Sequence, residues 1–89
     1  MAPERKTKPL SAHHAALAAA IEALIGEHEG MSQETVARES GLNLRKVNDL
    51  CRGQSNPTYL TLIKLTHGLH VRLAELMARV DEFYDQGTA

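Results

Sequence analysis

Five side chains between residues 44 and 52 could make directional contacts with a flat, hydrogen-bonding surface. They recur at offsets of one, four, five and eight residues, which places them on one face of an α-helix: Leu44, Arg45, Asn48, Asp49 and Arg52. Val47 and Leu50 fall on the opposite, apolar face. A helix fits the major groove of B-DNA, where a guanidinium can bind guanine through two hydrogen bonds. The spacing therefore predicts a helix that contacts base edges.

The same face also has simpler interpretations. Charged residues on a helix often form only solvated surface, and Leu44 could pack on a neighbouring helix instead of meeting a thymine methyl group. Asp49 lies one turn after Arg45, so it could accept from cytosine or hold Arg45 through an i,i+4 pair. Lys46 is expected on the surface or at a phosphate, not at a base edge.

The segment around this face has the residue types of a helix-turn-helix, which is two short helices joined by a tight turn. Ser32 is a suitable N-cap for the first helix, and Asn43 for the second. Ala37 is small enough for the helices to cross closely, and Gly41 can adopt the positive φ that a sharp stop requires. The stretch 32–52 is therefore predicted to form a helix-turn-helix.

The rest of the chain is predicted to supply three further helices and no strand. Capping residues and glycines mark the helix ends, and aliphatic residues recur between them at helical spacing. The expected boundaries are Ser11 and about Glu29, Ser32 and Gly41, Asn43 and about Cys51 or Arg52, Thr58 and a short break at Gly68–His70, and about Arg72 and Tyr84. The fold class is therefore expected to be all-α.

These residues together resemble the phage-repressor type of helix-turn-helix, the Cro/C1 or XRE family. The resemblance covers roughly residues 17–76, and it rests on the run 31–43 followed by Val47, Leu50, Arg52-Gly53 and Asn56-Pro57. It implies a compact five-helix bundle of the lambda-repressor-like DNA-binding type. It also implies a homodimer bound to operator DNA.

The resemblance further implies roles for individual residues. By position, Gln33 would hold a phosphate. The residues that would face bases are Asn43, Leu44, Arg45 and Asp49. Arg52 and Asn56 would contact the DNA backbone, and Tyr59 is a further candidate for that contact. The predicted DNA-binding set is Gln33, Asn43, Leu44, Arg45, Lys46, Asn48, Asp49, Arg52, Asn56 and Tyr59.

The sequence departs from the family pattern in two ways, at three positions. Cys51 and Gly26 stand where the family commonly has a buried glutamate–arginine pair, and losing both partners avoids an isolated buried charge. We expect the fold to survive with Cys51 packed as a small hydrophobe near Gly26. His70 stands where the family often has glycine, so either the chain is strained there or Gly68 supplies the positive φ.

Charge is distributed unevenly along a chain of formal net charge −1. Residues 1–9 sum to +2 and residues 43–64 to +3, whereas residues 10–30 sum to −3. We divide the chain into three parts: a disordered basic arm (1–10), the DNA-binding domain (11–85) and a flexible C-terminus (86–89). The arm could track phosphates or enter a minor groove, or it could be only a disordered start.

The histidine, cysteine and acidic residues do not suggest a metal site, a redox site or a catalytic site. The five histidines include His67-x-x-His70, but structural zinc sites usually need cysteine-rich motifs, and Cys51 is the one cysteine. We expect no metal, no cofactor and no redox role for a buried Cys51. The sequence suggests neither a nucleophile–base pair nor paired catalytic carboxylates, so we expect that the protein is not an enzyme.

The sequence therefore predicts a transcriptional regulator, a repressor that binds a palindromic operator as a homodimer through its third helix. Val80, Phe83 and Tyr84 could contact the second copy, or they could cover the domain's own core. The alternative is a protein-interaction module such as the antitoxin of a toxin–antitoxin pair, with DNA binding secondary. No signal peptide or membrane-spanning run is evident, so we expect a cytoplasmic protein.

Overall fold

The computed structural model describes residues 8–88, apart from the side chain of Thr88, and these residues form five helices and no strand. The helices are α1 (Ala12–Glu27), α2 (Gln33–Ser40), α3 (Leu44–Cys51), α4 (Tyr59–Leu69) and α5 (Leu73–Thr88). The predicted all-α, five-helix fold is confirmed. The predicted basic arm lies mostly outside the described residues.

Each of the first four helices begins at a side-chain cap. The Ser11 hydroxyl accepts from the backbone N–H of His14, and Ser32 forms a capping box with Thr35. Asn43 caps α3 and Thr58 caps α4 in the same way. Two predicted ends were wrong. The first helix stops at Glu27, while the last continues past Tyr84 to Thr88 because its sequence has no glycine or proline before Gly87.

The core is built from aliphatic side chains of all five helices. Its largest fully buried members are Ile21, Leu24, Val36, Val47, Leu50, Leu65, Leu69 and Leu76. The α1 helix makes its most extensive contact with α5 and a smaller one with α3, whereas α2 packs on α3 and α4. The helix-turn-helix is therefore held on one side by α1 and on the other by α4.

Gly68 lets α4 approach α2 closely. A Cβ added at Gly68 would lie 2.6 Å from the backbone oxygen of Val36 and 2.9 Å from the Ser40 Cβ. The positive φ that ends α4 belongs instead to His70, at 62°. A side chain in this region costs on the order of 1 kcal/mol, and the His70 ring is held by a 2.5 Å contact between its Nε2 and Glu39 Oε1.

Cys51 is buried, as predicted, but the expected contact with Gly26 was wrong. Gly26 is exposed, and a Cβ built there would meet nothing within 4 Å. The residue of α1 that faces Cys51 is Glu22, one turn earlier. Burial raises the pKa of the Cys51 thiol to about 12, and the nearby Glu22 carboxylate adds to this effect.

Candidate DNA interface

The turn between α2 and α3 is fixed by backbone and side-chain hydrogen bonds. Gly41 has a φ of 82°, and its N–H donates to the Ala37 oxygen at 3.1 Å. The Ser40 hydroxyl, which is buried, accepts from the N–H of Leu42 at 3.1 Å. Ala37 is buried where the two helices meet. These contacts orient α3 relative to the rest of the domain.

The two faces of α3 differ sharply in exposure. Val47 and Leu50 are fully buried. The outward side chains are Leu44, Arg45, Lys46 and Arg52, with Asn48 and Asp49 half-buried beside them. Leu44 is 40% exposed, so it does not pack into the core as an isolated leucine would be expected to do. A polar surface about two helical turns long therefore faces solvent.

Asp49 pairs with Arg52, and the predicted pair with Arg45 does not form. The Arg52 Nη2 lies 2.9 Å from Asp49 Oδ1. Side chains on a helix lean toward its N-terminus, so Arg52 leans back over Asp49 whereas Arg45 leans away from it. Among the described residues Arg45 has no ion pair or hydrogen bond through its guanidinium. Its donors are free for a ligand.

Three other residues of the predicted set already have partners. The Asn43 side chain caps α3 by accepting from the Lys46 N–H at 2.7 Å. The Lys46 ammonium donates to the Ser55 hydroxyl at 3.4 Å, which holds it against the loop after α3. The Gln33 amide donates to Glu22 Oε2 at 3.1 Å. A phosphate at the start of α2 would have to compete with this carboxylate for Gln33.

The loop between α3 and α4 presents Asn56 and Tyr59. Tyr59 is 71% exposed at the first turn of α4. The Asn56 Oδ1 lies 3.1 Å from His14 Nε2, and His14 Nδ1 lies 2.6 Å from the Ser11 hydroxyl. The sequence interpretation missed His14, because it is 42 residues from Asn56 and no spacing rule connects them. With its oxygen engaged, the Asn56 amide keeps its N–H donors.

The segment 8–10 lies against the end of α3, which the sequence did not indicate. The N–H of Leu10 donates to the Gly53 oxygen at 2.8 Å, and the Gln54 amide donates to the Lys8 oxygen. A Cβ at Gly53 would lie 2.8 Å from the Pro9 Cβ, and Gly53 has a φ of 72°. Glycine is therefore needed at this position for both its backbone conformation and its lack of a side chain.

The predicted contact residues of the last helix lie against their own chain. Val80 and Phe83 pack on the core, and the Tyr84 ring stacks on His13 with centroids 4.3 Å apart. The large apolar side chains that are exposed lie elsewhere: Leu10, Leu44, Tyr59 and Leu60. The stripe along α5 thus covers the domain's own core.

No group of three or more histidine, cysteine, aspartate or glutamate side chains within residues 8–88 is arranged to hold a metal ion. No helix in the described part is both long and apolar enough to cross a membrane.

Comparison with known proteins identifies the family. A family model described as Helix-turn-helix matches residues 21–76, which is more than half of the chain. The chain belongs to the Cro/C1-type helix-turn-helix family. This helix-turn-helix protein is also 37% identical over 60 residues to the HTH-type transcriptional regulator y4dJ of Sinorhizobium fredii, a match covering 67% of this chain and 78% of that protein.

Solved structures share the fold of this helix-turn-helix protein. The restriction-modification controller protein C.AhdI from Aeromonas hydrophila is 32% identical with a TM-score of 0.69, over 74% of this chain and 98% of that one. The wild-type restriction-modification controller protein C.Esp1396I has a TM-score of 0.77 at 22% identity, over 85% and 97% of the two chains. The protein is a helix-turn-helix transcriptional regulator.

Proposed function

We propose that this regulator is a repressor that binds a palindromic operator as a homodimer in the cytoplasm and reads base edges with α3. The observation that carries the proposal is Arg45, an exposed arginine with no partner among the described residues, on a helix whose opposite face is fully buried. A rigid helix with free bidentate donors suits guanine in the major groove. Occupying a promoter would be enough for repression.

The remaining surface divides into base and phosphate contacts. Leu44 would meet a thymine methyl group, and Asn48 would lie between Arg45 and the end of the helix. Arg52 would bind a phosphate, and its pair with Asp49 at 2.9 Å holds the guanidinium in one place. The remaining phosphate contacts would come from Gln33, Lys46, Asn56 and Tyr59, and Asn43 would remain mainly a helix cap.

We propose a dimer because one copy presents few unpaired positive charges to DNA. On α3 only Arg45 and Lys46 lack an acidic partner, because Asp49 neutralises Arg52. One short helix contacts a few base pairs, so a single copy would bind weakly and with little selectivity. Two linked copies bind half-sites one helical turn apart, and the second contact then occurs at high effective concentration.

The test is selection of binding sites from random duplex DNA with wild-type protein and Arg45→Ala. We expect a palindrome for the wild type. For Arg45→Ala we expect a loss of preference of about five-fold or more at one base pair in each half-site, since a bidentate contact is worth about 1–3 kcal/mol. Arg72→Ala is the matched control, because Arg72 is an exposed arginine outside α3. Absence of any enriched sequence would contradict the proposal and favour the protein-interaction module.

A further inference from the structure

We propose that His14 is a positioning residue for DNA binding, which orients the Asn56 side chain so that its amide N–H groups are presented to a phosphate. The inference rests on the proposed DNA binding by α3 and adds to it a residue of α1. His14 does not touch the duplex itself. It acts only through Asn56, whose contact with the DNA backbone carries no base sequence information.

The hydrogen bonds of His14 fix where its ring carries a proton. The Ser11 oxygen accepts from the backbone N–H of His14 at 3.2 Å, and the same hydroxyl lies 2.6 Å from His14 Nδ1. The hydroxyl proton is therefore directed at Nδ1, so the neutral ring carries its own proton on Nε2. That Nε2–H donates to the Asn56 oxygen at 3.1 Å. The chain of donors thus runs from Ser11 through His14 to Asn56.

This direction leaves the amide nitrogen of Asn56 free. His14 engages the side-chain oxygen, and the amide nitrogen has no hydrogen-bond partner among residues 8–88. Asn56 is exposed, whereas Ser55 before it is buried and Pro57 after it is half-buried. Phosphate oxygens accept hydrogen bonds from asparagine side chains. The oriented amide therefore offers solvent its donors and turns its acceptor inward.

The loop that carries Asn56 is bonded to α3 itself. The N–H of Gln54 donates to the Asp49 oxygen at 2.8 Å, and the Lys46 ammonium donates to the Ser55 hydroxyl at 3.4 Å. Asn56 thus follows directly after two residues that are held by the helix proposed to read bases. Its phosphate would belong to the backbone beside the groove that α3 enters.

His14 reaches this loop from a firmly held helix. It is half-buried in the first turn of α1, and its backbone oxygen lies 3.2 Å from the Cβ position of Gly53. The same helix is anchored in the core by Ile21 and Leu24, which are fully buried. An unsupported loop side chain samples several rotamers, and ordering it on binding costs entropy. Because His14 orders Asn56 in the free protein, DNA meets an amide that is already aligned.

The test measures dissociation constants for a duplex carrying the selected operator, at constant salt and pH, with wild type, His14→Ala, Asn56→Ala and the double variant. Asn56→Ala should weaken binding about two- to ten-fold per half-site, the value of one net hydrogen bond. His14→Ala should weaken binding by a similar or smaller factor. In the Asn56→Ala background, His14→Ala should have no further effect. Multiplying losses, or wild-type affinity for either single variant, would overturn the inference.

Two further variants separate positioning from a general defect of α1. His13→Ala is the matched control, because His13 is the adjacent histidine, stacks on Tyr84 and makes no hydrogen bond to Asn56 among residues 8–88. It should bind the operator as wild type does. His14→Gln keeps an N–H donor at about the place of Nε2, so its affinity should return to within about two-fold of wild type. His14→Gln binding as weakly as His14→Ala, or His13→Ala binding equally weakly, would contradict the role of His14.

Ethylation interference identifies the phosphate itself. His14→Ala and Asn56→Ala should lose the interference of the same phosphate beside each half-site and keep the others, whereas a distorted α1 would weaken many contacts together. Loss at different phosphates would overturn the inference. Its failure also differs from failure of the proposed function. If Arg45→Ala loses base preference while His14→Ala binds like wild type, only the role of His14 falls. If no sequence is enriched, both fall.

Discussion

At the scale of single residues, Cys51 shows how a small substitution in a motif changes its chemistry. The thiol is buried beside Glu22, and burial first, then the Glu22 carboxylate, raises its pKa to about 12. A neutral thiol at physiological pH is a poor nucleophile and a poor metal ligand. Cys51 therefore packs as a core side chain at the junction of α1 and α3.

Cys51 should make the free energy of unfolding depend on pH in the alkaline range. The folded pKa, about 12, lies above the ordinary value of 9.0, so the thiol's contribution is fully present below pH 9 and is lost as pH rises toward 12. Urea denaturation of wild type and Cys51→Ala from pH 8 to 11 checks this. The stability difference between the two should shrink with pH, and a constant difference would contradict the assignment.

At the scale of elements, glycines have opposite roles in two helices. Gly68 lies in α4 with the Val36 oxygen and the Ser40 side chain where its own side chain would be. Gly26 lies in α1 on an exposed surface with nothing near its Cβ position. Helix propensity favours alanine at both sites, so packing decides whether a glycine-to-alanine substitution raises or lowers the free energy of unfolding.

Gly68→Ala and Gly26→Ala form a matched pair with opposite expected results. Gly68→Ala should lower the free energy of unfolding by about 1–3 kcal/mol, because α4 must move away from α2. Gly26→Ala should raise it by about 0.5–1 kcal/mol through helix propensity alone. Chemical denaturation measures both values. Stabilisation by Gly68→Ala would mean that α2 and α4 do not approach as described.

The helices could be predicted from the sequence because their signals are local. Ser32, Asn43 and Gly41 act within three or four residues of where they stand, and the structure uses each in the expected way. Contacts between distant residues could not be predicted. His14 contacts Asn56, and Glu22, not Gly26, lies beside Cys51. Both contacts depend on how α1 is rotated against the other helices, which no local sequence signal specifies.

At the scale of the whole molecule, the apolar surface indicates where a second copy could bind. Four large apolar side chains are exposed. Leu44 and Tyr59 belong to the proposed DNA contacts, and Leu10 lies in the segment that is bound to Gly53. Leu60, at 61% exposure, is left without a role. Phe83 and Val80, by contrast, already pack on the core of their own chain.

Leu60→Glu and Phe83→Ala should therefore separate dimerisation from stability. For the proposed homodimer, we place Leu60 at the two-fold axis. Leu60→Glu should then weaken this dimer at least ten-fold by bringing two carboxylates together, with stability of the fold unchanged. Phe83→Ala should lower the free energy of unfolding by about 1–3 kcal/mol, less than for a fully buried ring, because Phe83 is only half-buried. Sedimentation equilibrium and urea denaturation give the two readouts. A Leu60→Glu protein that dimerises like wild type would place the interface elsewhere.

The contact between α1 and α5 affects when the domain can fold during its synthesis. The α1 helix makes its most extensive contact with α5, and the Arg79 guanidinium hydrogen-bonds Glu27 at the end of α1, which lowers the pKa of that carboxyl. During synthesis α1 emerges first, yet the surface that covers it is made more than fifty residues later. The sequence of the helix-turn-helix is therefore synthesised before the α5 surface that covers α1. Because a domain generally folds as a unit, we expect DNA binding only after α5 has left the ribosome.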